Sequence, residues 1–308
     1  MSDLANAVSK CIASSVLIID LSGLFGNVNI VIATLVFKEL RSSKCSRLIG
    51  FIAVLDLIST AFGIEAFIYD MLHQQDSFLY RNLCFAKIWP FVFLACLETT
   101  LIFFLALDRL LAIVTPFFYK TINPNVYFLL ILLPGTVFGA AIVVLGFCND
   151  QDDDLIQFCL PPTSLNVFAQ CVYTLSITVI NCGTVIVYCF IGIYIWHHYR
   201  VTSSLVTAIR KQLTVTTTIA YIVSFFILTW LSGHLINFVT NMVYKGNMKR
   251  CLYHLLSMLP THLSGAGNFY IYFWRSKTYR RMFIHQISRC NVAPQRAITV
   301  FPADNSGR

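Results

Sequence analysis

Seven long apolar runs divide the chain, near residues 14–37, 48–72, 85–112, 126–147, 165–196, 212–242 and 252–274. Each is long enough to cross a hydrocarbon core of about 30 Å as a helix. The first run is too long for a cleaved leader and lacks a small-residue cleavage site, so it reads as a span. No internal repeat, low-complexity tract or second domain interrupts the pattern. It predicts an all-α membrane protein, a seven-transmembrane helix bundle forming one domain over residues 1–290. After Trp274 basic and apolar residues alternate, with Tyr279, Met282, Phe283 and Ile287 as the apolar set. That predicts a short amphipathic helix on the inner leaflet, with Cys290 as a candidate palmitoylation site. Residues 291–308 are predicted to be a disordered cytoplasmic tail.

Composition agrees: 57% of residues are hydrophobic and 12% charged, far from the make-up of a soluble globule. The positions of Lys and Arg set the orientation. With the N-terminus extracellular, sixteen of the 22 basic residues fall on the cytoplasmic side and six outside. The net charge of +8 then reflects topology and the anionic inner leaflet, and no nucleic-acid partner is implied. The acidic run Asp150, Asp152, Asp153 and Asp154 falls outside, in a turn-rich loop that reads as a vestibule or a solvated connection.

Of the eleven cysteines most lie within spans, where Cys behaves as a small apolar residue. Cys11, Cys84, Cys148, Cys159 and Cys251 fall at or near the oxidising outer face, where pairing is expected. The expected bridge is Cys84–Cys159, tying the loop after the fourth run to the top of the third; Cys148 is a rival partner.

The polar residues inside the runs carry the candidate chemistry. Asp56, in IAVLDLIS, and Glu98, mid-way along the third run, are acids at a depth where even a lenient insertion scale charges about 2.5–3.5 kcal/mol, so both should face the bundle interior. Asp20 and Glu65 also count among the acids within the runs, while Glu65 and Asp70 lie nearer the outside and read equally as pocket-lining or rim groups. Cys84, Phe91, Glu98 and Arg109 share one helical face, since steps of seven and eleven residues return near the same angle. Asp108 and Arg109 end the third run and are followed by Pro116 and Tyr119. Asn268 and Tyr272 form an i, i+4 pair near the inner end of the seventh run.

In this order the motifs resemble those of a rhodopsin-like G-protein-coupled receptor over about residues 15–290. The carriers are Gly26–Asn27, Asp56, the spacing of Cys84 from Arg109, DRLLAIVTPFFY, TWLS at Thr229–Ser232 and NFYIY at Asn268–Tyr272. KELRSSKCSRLIGFIAVLDLI and LDRLLAIVTPFFY look most similar to nematode Srsx-type serpentine chemoreceptors. The resemblance implies a plasma-membrane receptor, in a sensory cilium where the narrower likeness holds, that activates a heterotrimeric G protein. Coupling would use Asp108, Arg109, Tyr188, Asn268 and Tyr272. An external small-molecule or peptide ligand would bind near Phe91, Trp230, His234 and His262. It also implies that Glu98 faces Asp56 where relatives hold a sodium ion, so Asp56 and Glu98 would form a cation- or proton-loaded pair, with a neutral, hydrogen-bonded Glu98 as the alternative. No other metal or cofactor is expected.

The chain also departs from the pattern. Leu110 replaces the motif tyrosine, Ile180, Ser232 and Phe269 stand where relatives keep kink prolines, and the fourth run lacks its usual Trp. Hinges would then come from Ser232–Gly233 and Gly265–Gly267, or the helices run straighter, with Gly265 and Gly267 serving close packing. Gln212 replaces an acid that locks the arginine, leaving Asp108 alone to hold Arg109. Phe91 replaces the aspartate of amine receptors, which argues against an amine held at that position. A retinal protein fails for want of a lysine in 252–274, and an enzyme for want of a nucleophile–base set. An ion channel or transporter would want inverted repeats or more buried charge. A neuropeptide receptor, its basic ligand drawn by the acidic loop, is the rival within the receptor class.

Overall fold

The computed structural model describes residues 2–72, 79–148, 155–156, 159, 164–199, 206–243 and 248–290. In chain order the helices are α1 (Ser2–Val36), α2 (Lys38–Arg41), α3 (Lys44–Leu72), α4 (Arg81–Val114), α5 (Pro116–Thr121), α6 (Pro124–Phe147), α7 (Val167–Tyr199), α8 (Val206–Val243), α9 (Met248–Arg275) and α10 (Lys277–Cys290). Apart from Phe37 at the end of the first and the first two residues of the fifth, each of the seven apolar runs lies within one long helix. Six of these are long and apolar enough to span a membrane on their own account; α9 is the exception. The molecule is a seven-transmembrane bundle with a short amphipathic helix behind it.

Outward faces are as apolar as inward ones. Leu129, Leu133 and Val137 on α6 and Leu175, Val179 and Phe190 on α7 are exposed, an arrangement that only lipid makes cheap. The central helix is α4, packed against α3, α6, α7 and α8, while α1 lies along α9 and α3. Around α4 the core divides. An inner cluster holds Leu101, Leu105, Ile219, Phe226, Phe269 and Tyr272; an outer one holds Phe85, Val92, Cys96, Ile142 and Tyr173.

Local chemistry sets several boundaries. Pro116 opens α5 and Pro124 opens α6, each at a position whose amide would lack a helical partner anyway. Asn123 caps α6 by accepting from the Asn125 amide at 2.9 Å. At the outer end Cys84 is bonded to Cys159, and Leu79–Tyr80 pairs antiparallel with Leu155–Ile156, so the loop after α6 lies over the top of α4. Cys148, the rival partner, is a free thiol. The side chain of Cys251, the acidic residues Asp150 and Asp152–Asp154, and the tail 291–308 lie outside the described residues.

The expected hinges are contact points instead. Both α8 and α9 run unbroken through Ser232–Gly233 and Gly265–Gly267. A Cβ at Gly267 would sit 2.2 Å from the Phe225 ring, and one at Gly26 2.6 Å from Phe269 Cβ, so these glycines set how closely helices approach.

Candidate functional site

Three polar stations stack along the bundle interior. The lowest lies where α4 meets α5 and α6. Asp108 is fully buried and Arg109 only 7% exposed. Arg109 donates through Nε at 2.9 Å and through Nη2 to Asp108 Oδ2. The other oxygen, Oδ1, accepts the hydroxyls of Tyr119 and Tyr127, both at 2.8 Å. Four donors therefore satisfy one carboxylate, the condition under which a buried charge is tolerable. Lys44 Nζ lies 4.6 Å above the Tyr119 ring and 5.4 Å from that of Tyr127, and donates to the Tyr119 carbonyl. Burial, and then the neighbouring Asp108 charge, push the Tyr119 phenol well above its ordinary range, so it stays a donor. Asp108 is thus not the only group engaged in this lock. The sequence offered Tyr119 through its fixed spacing from Asp108 but gave no signal for Tyr127 or Lys44. The side chain of Gln212 lies outside the described residues.

Beside this cage, Tyr188 packs against the inner cluster and against a smaller group of Ala106, Val187 and Ile191, and its buried hydroxyl has no partner among the described residues. Tyr272 is buried and stacks on Tyr279 of α10 at 4.7 Å. Asn268 and Tyr272 line a cavity of about 20 Å³ with Ile49, Ile102, Leu105 and Phe226, room for about one water. None of Phe91, Trp230 or His262 lines that cavity.

The middle station joins α3, α4 and α9. Asp56, 3% exposed, accepts from Asn268 Nδ2 at 3.0 Å. The Glu98 carboxyl lies within hydrogen-bonding reach of Asp56. Gly265 makes room here, since a Cβ on it would meet Asp56 Oδ1 at 3.3 Å.

The upper station lies seven residues further along α3. His262 Nδ1 is 2.7 Å from Asp20 Oδ1 on α1, the imidazole 19% exposed and the carboxylate 4%. Gly63 of α3 closes the third side: a Cβ there would lie 3.0 Å from His262 Cε1 and 3.1 Å from Asp20 Oδ2. His262 therefore has a dedicated partner, which depth in the membrane suggested only as a lone acid at Asp20. Of the other pocket residues, Phe91 is half-buried on α4 and Trp230 packs between the inner and outer clusters. The side chain of His234 lies outside the described residues. The structure brings Asp108, Arg109, Tyr188, Asn268 and Tyr272, the residues expected to couple, into the inner half.

Two likenesses accompany this geometry. The family described as "Serpentine type 7TM GPCR chemoreceptor Srsx" matches residues 21–287. The human protein "Olfactory receptor 4Q3" (Homo sapiens) is 26% identical over 175 residues, which cover 54% of this chain and 55% of that protein. The chain spans about half the length of that curated relative.

Proposed function

This chain belongs to the serpentine seven-transmembrane chemoreceptor family Srsx, and from that premise we propose that it is a plasma-membrane receptor that turns an external chemical stimulus into activation of a heterotrimeric G protein. Its N-terminus is extracellular. The ligand enters the outer half of the bundle, near Phe91, Trp230, His234 and His262, and a chemosensory stimulus fits the family and the olfactory relative better than a basic neuropeptide does. Binding shifts population only through a difference in affinity between resting and active arrangements. In the active one α8 moves outward at its inner end, and Arg109 leaves Asp108 to line, with Tyr188, Asn268 and Tyr272, a cavity for the terminal helix of the G protein. Asp56 and Glu98 hold a sodium ion or share a proton, and that load changes with activation.

The observation that carries this reading is the buried Asp108–Arg109 pair with Tyr119 and Tyr127 on its second oxygen. A cation at the inner end of the central helix is expensive to bury, and here every bond it makes goes to a neighbour from which it can be released. The test is Arg109→Ala in cells carrying a promiscuous G protein. Agonist-driven nucleotide exchange should fall to background while surface expression stays within about twofold of wild type. Full signalling by that variant would remove the assignment.

A further inference from the structure

The Asp20–His262 station is not used by the coupling reading. Asp20 is buried within the first span, and only one of its oxygens is spent. Oδ2 is buried with no partner among the described residues. A half-satisfied carboxylate in hydrocarbon is costly, and a purely structural tie between α1 and α9 would be served more cheaply by an amide or a hydroxyl. The contact is one in which Asp20 can accept from Nδ1, and a ring that carries its one proton there has Nε2 as an acceptor. In that form the pair has a net negative charge and unspent acceptors on both partners, with no donor supplied by Gly63 on the facing helix. Of the two, the imidazole keeps the greater exposure, 19% against 4%, so it is the side from which a ligand arrives.

We propose that Asp20 and His262 form the polar anchor of the outer-bundle site, and that the ligand class it selects is a small molecule carrying a protonated amine. The ammonium donates to His262, and the charge of Asp20 behind the ring holds it. Hydrogen bonds with an ionised partner are about twice as strong as neutral ones, and burial strengthens them further. Asp20 is a positioning residue: it fixes the tautomer and supplies charge without meeting the ligand. Gly63 permits the arrangement, because any side chain there would press on both partners. This inference rests on the ligand site proposed above but not on G-protein coupling.

The test reads binding to purified full-length receptor in lipid nanodiscs, with no G protein present. Straight-chain and arylalkyl primary amines are each compared with the alcohol of the same carbon skeleton, by ligand-induced thermal stabilisation and direct titration. Wild type should bind at least one amine at least about tenfold more tightly than its alcohol, tenfold being about 1.4 kcal/mol. Asp20→Asn keeps an acceptor for His262 but loses the charge, and should erase that preference. His262→Asn keeps a donor toward Asp20 but loses the outer nitrogen, and should weaken amine binding likewise. The second variant decides the matter where the first fails to fold. A panel in which no amine outbinds its alcohol on wild type, or a preference that survives both substitutions, overturns the proposal. Loss of signalling in Arg109→Ala has no bearing on it, so the two readings fail separately.

Discussion

Asp56 and Glu98 present four carboxyl oxygens to one another, and the amide of Asn268 supplies one donor, at 3.0 Å. The hydroxyls nearest Glu98 in sequence are already committed, since Thr99 donates to the Ala95 carbonyl and Thr100 to that of Cys96. On the reading proposed above, a shared proton or a cation balances the pair. Glu98→Gln replaces that need with an amide donor. The expected outcome is agonist affinity that no longer responds to sodium or to mild changes of pH, with agonist still able to signal. A titration in which both sensitivities persist in the variant would remove this pair as the site of either. Depth in an apolar run made these two acids legible in the sequence, because charge in hydrocarbon needs a reason. The same argument noticed Asp20 but could not give it His262, 242 residues away, since nothing in the periodicity of α1 names a partner on α9.

Two elements carry what spacing could not. The first is α9, the span that does not qualify by apolarity. Several of its polar groups are spent on neighbouring helices: His262 on Asp20, Asn268 on Asp56, Tyr270 on Ser22 at 2.7 Å, and the Gly265 carbonyl on Asn27 at 3.2 Å. It crosses the membrane because α1 and α3 satisfy it, and a sum over residue hydropathies does not count partners. The second is the α5–α6 corner, which brings Tyr119 and Tyr127 to Asp108 from outside the central helix. A hydrogen bond to a charged group contributes about 1.5–3 kcal/mol, and releasing Arg109 requires the Asp108 cage to rearrange. Tyr119→Phe combined with Tyr127→Phe should therefore favour the released state and raise ligand-independent nucleotide exchange by at least about tenfold. Basal exchange at the wild-type level, with normal surface expression, would mean that both tyrosines hold Asp108 equally in resting and active states and contribute nothing to the lock.

At the scale of the molecule, two physical arguments support the proposed extracellular N-terminus. Charge asymmetry places the basic connections in the cytoplasm. The Cys84–Cys159 bond requires an oxidising compartment at the opposite end of α4 from Arg109. Cys84 and Arg109 stand twenty-five residues apart on one unbroken helix, roughly 37 Å at 1.5 Å per residue, which exceeds the hydrocarbon core. They must therefore lie at opposite faces, and neither argument borrows from the other. Six of the seven spans were legible because length and apolarity suffice to predict them; the direction needed the distribution of charge, and the bridge needed the compartment. Glycosylation acceptors placed one at a time in the connections give the check. An acceptor inserted in 149–154, between α6 and α7, should be modified in cells, whereas one inserted in 200–205, between α7 and α8, should not. The reverse pattern would put Arg109 and the amphipathic α10 outside the cell, where no G protein could meet them. It would also leave Cys84 and Cys159 facing a reducing cytosol, so a single observation would contradict the charge argument and the disulfide argument together.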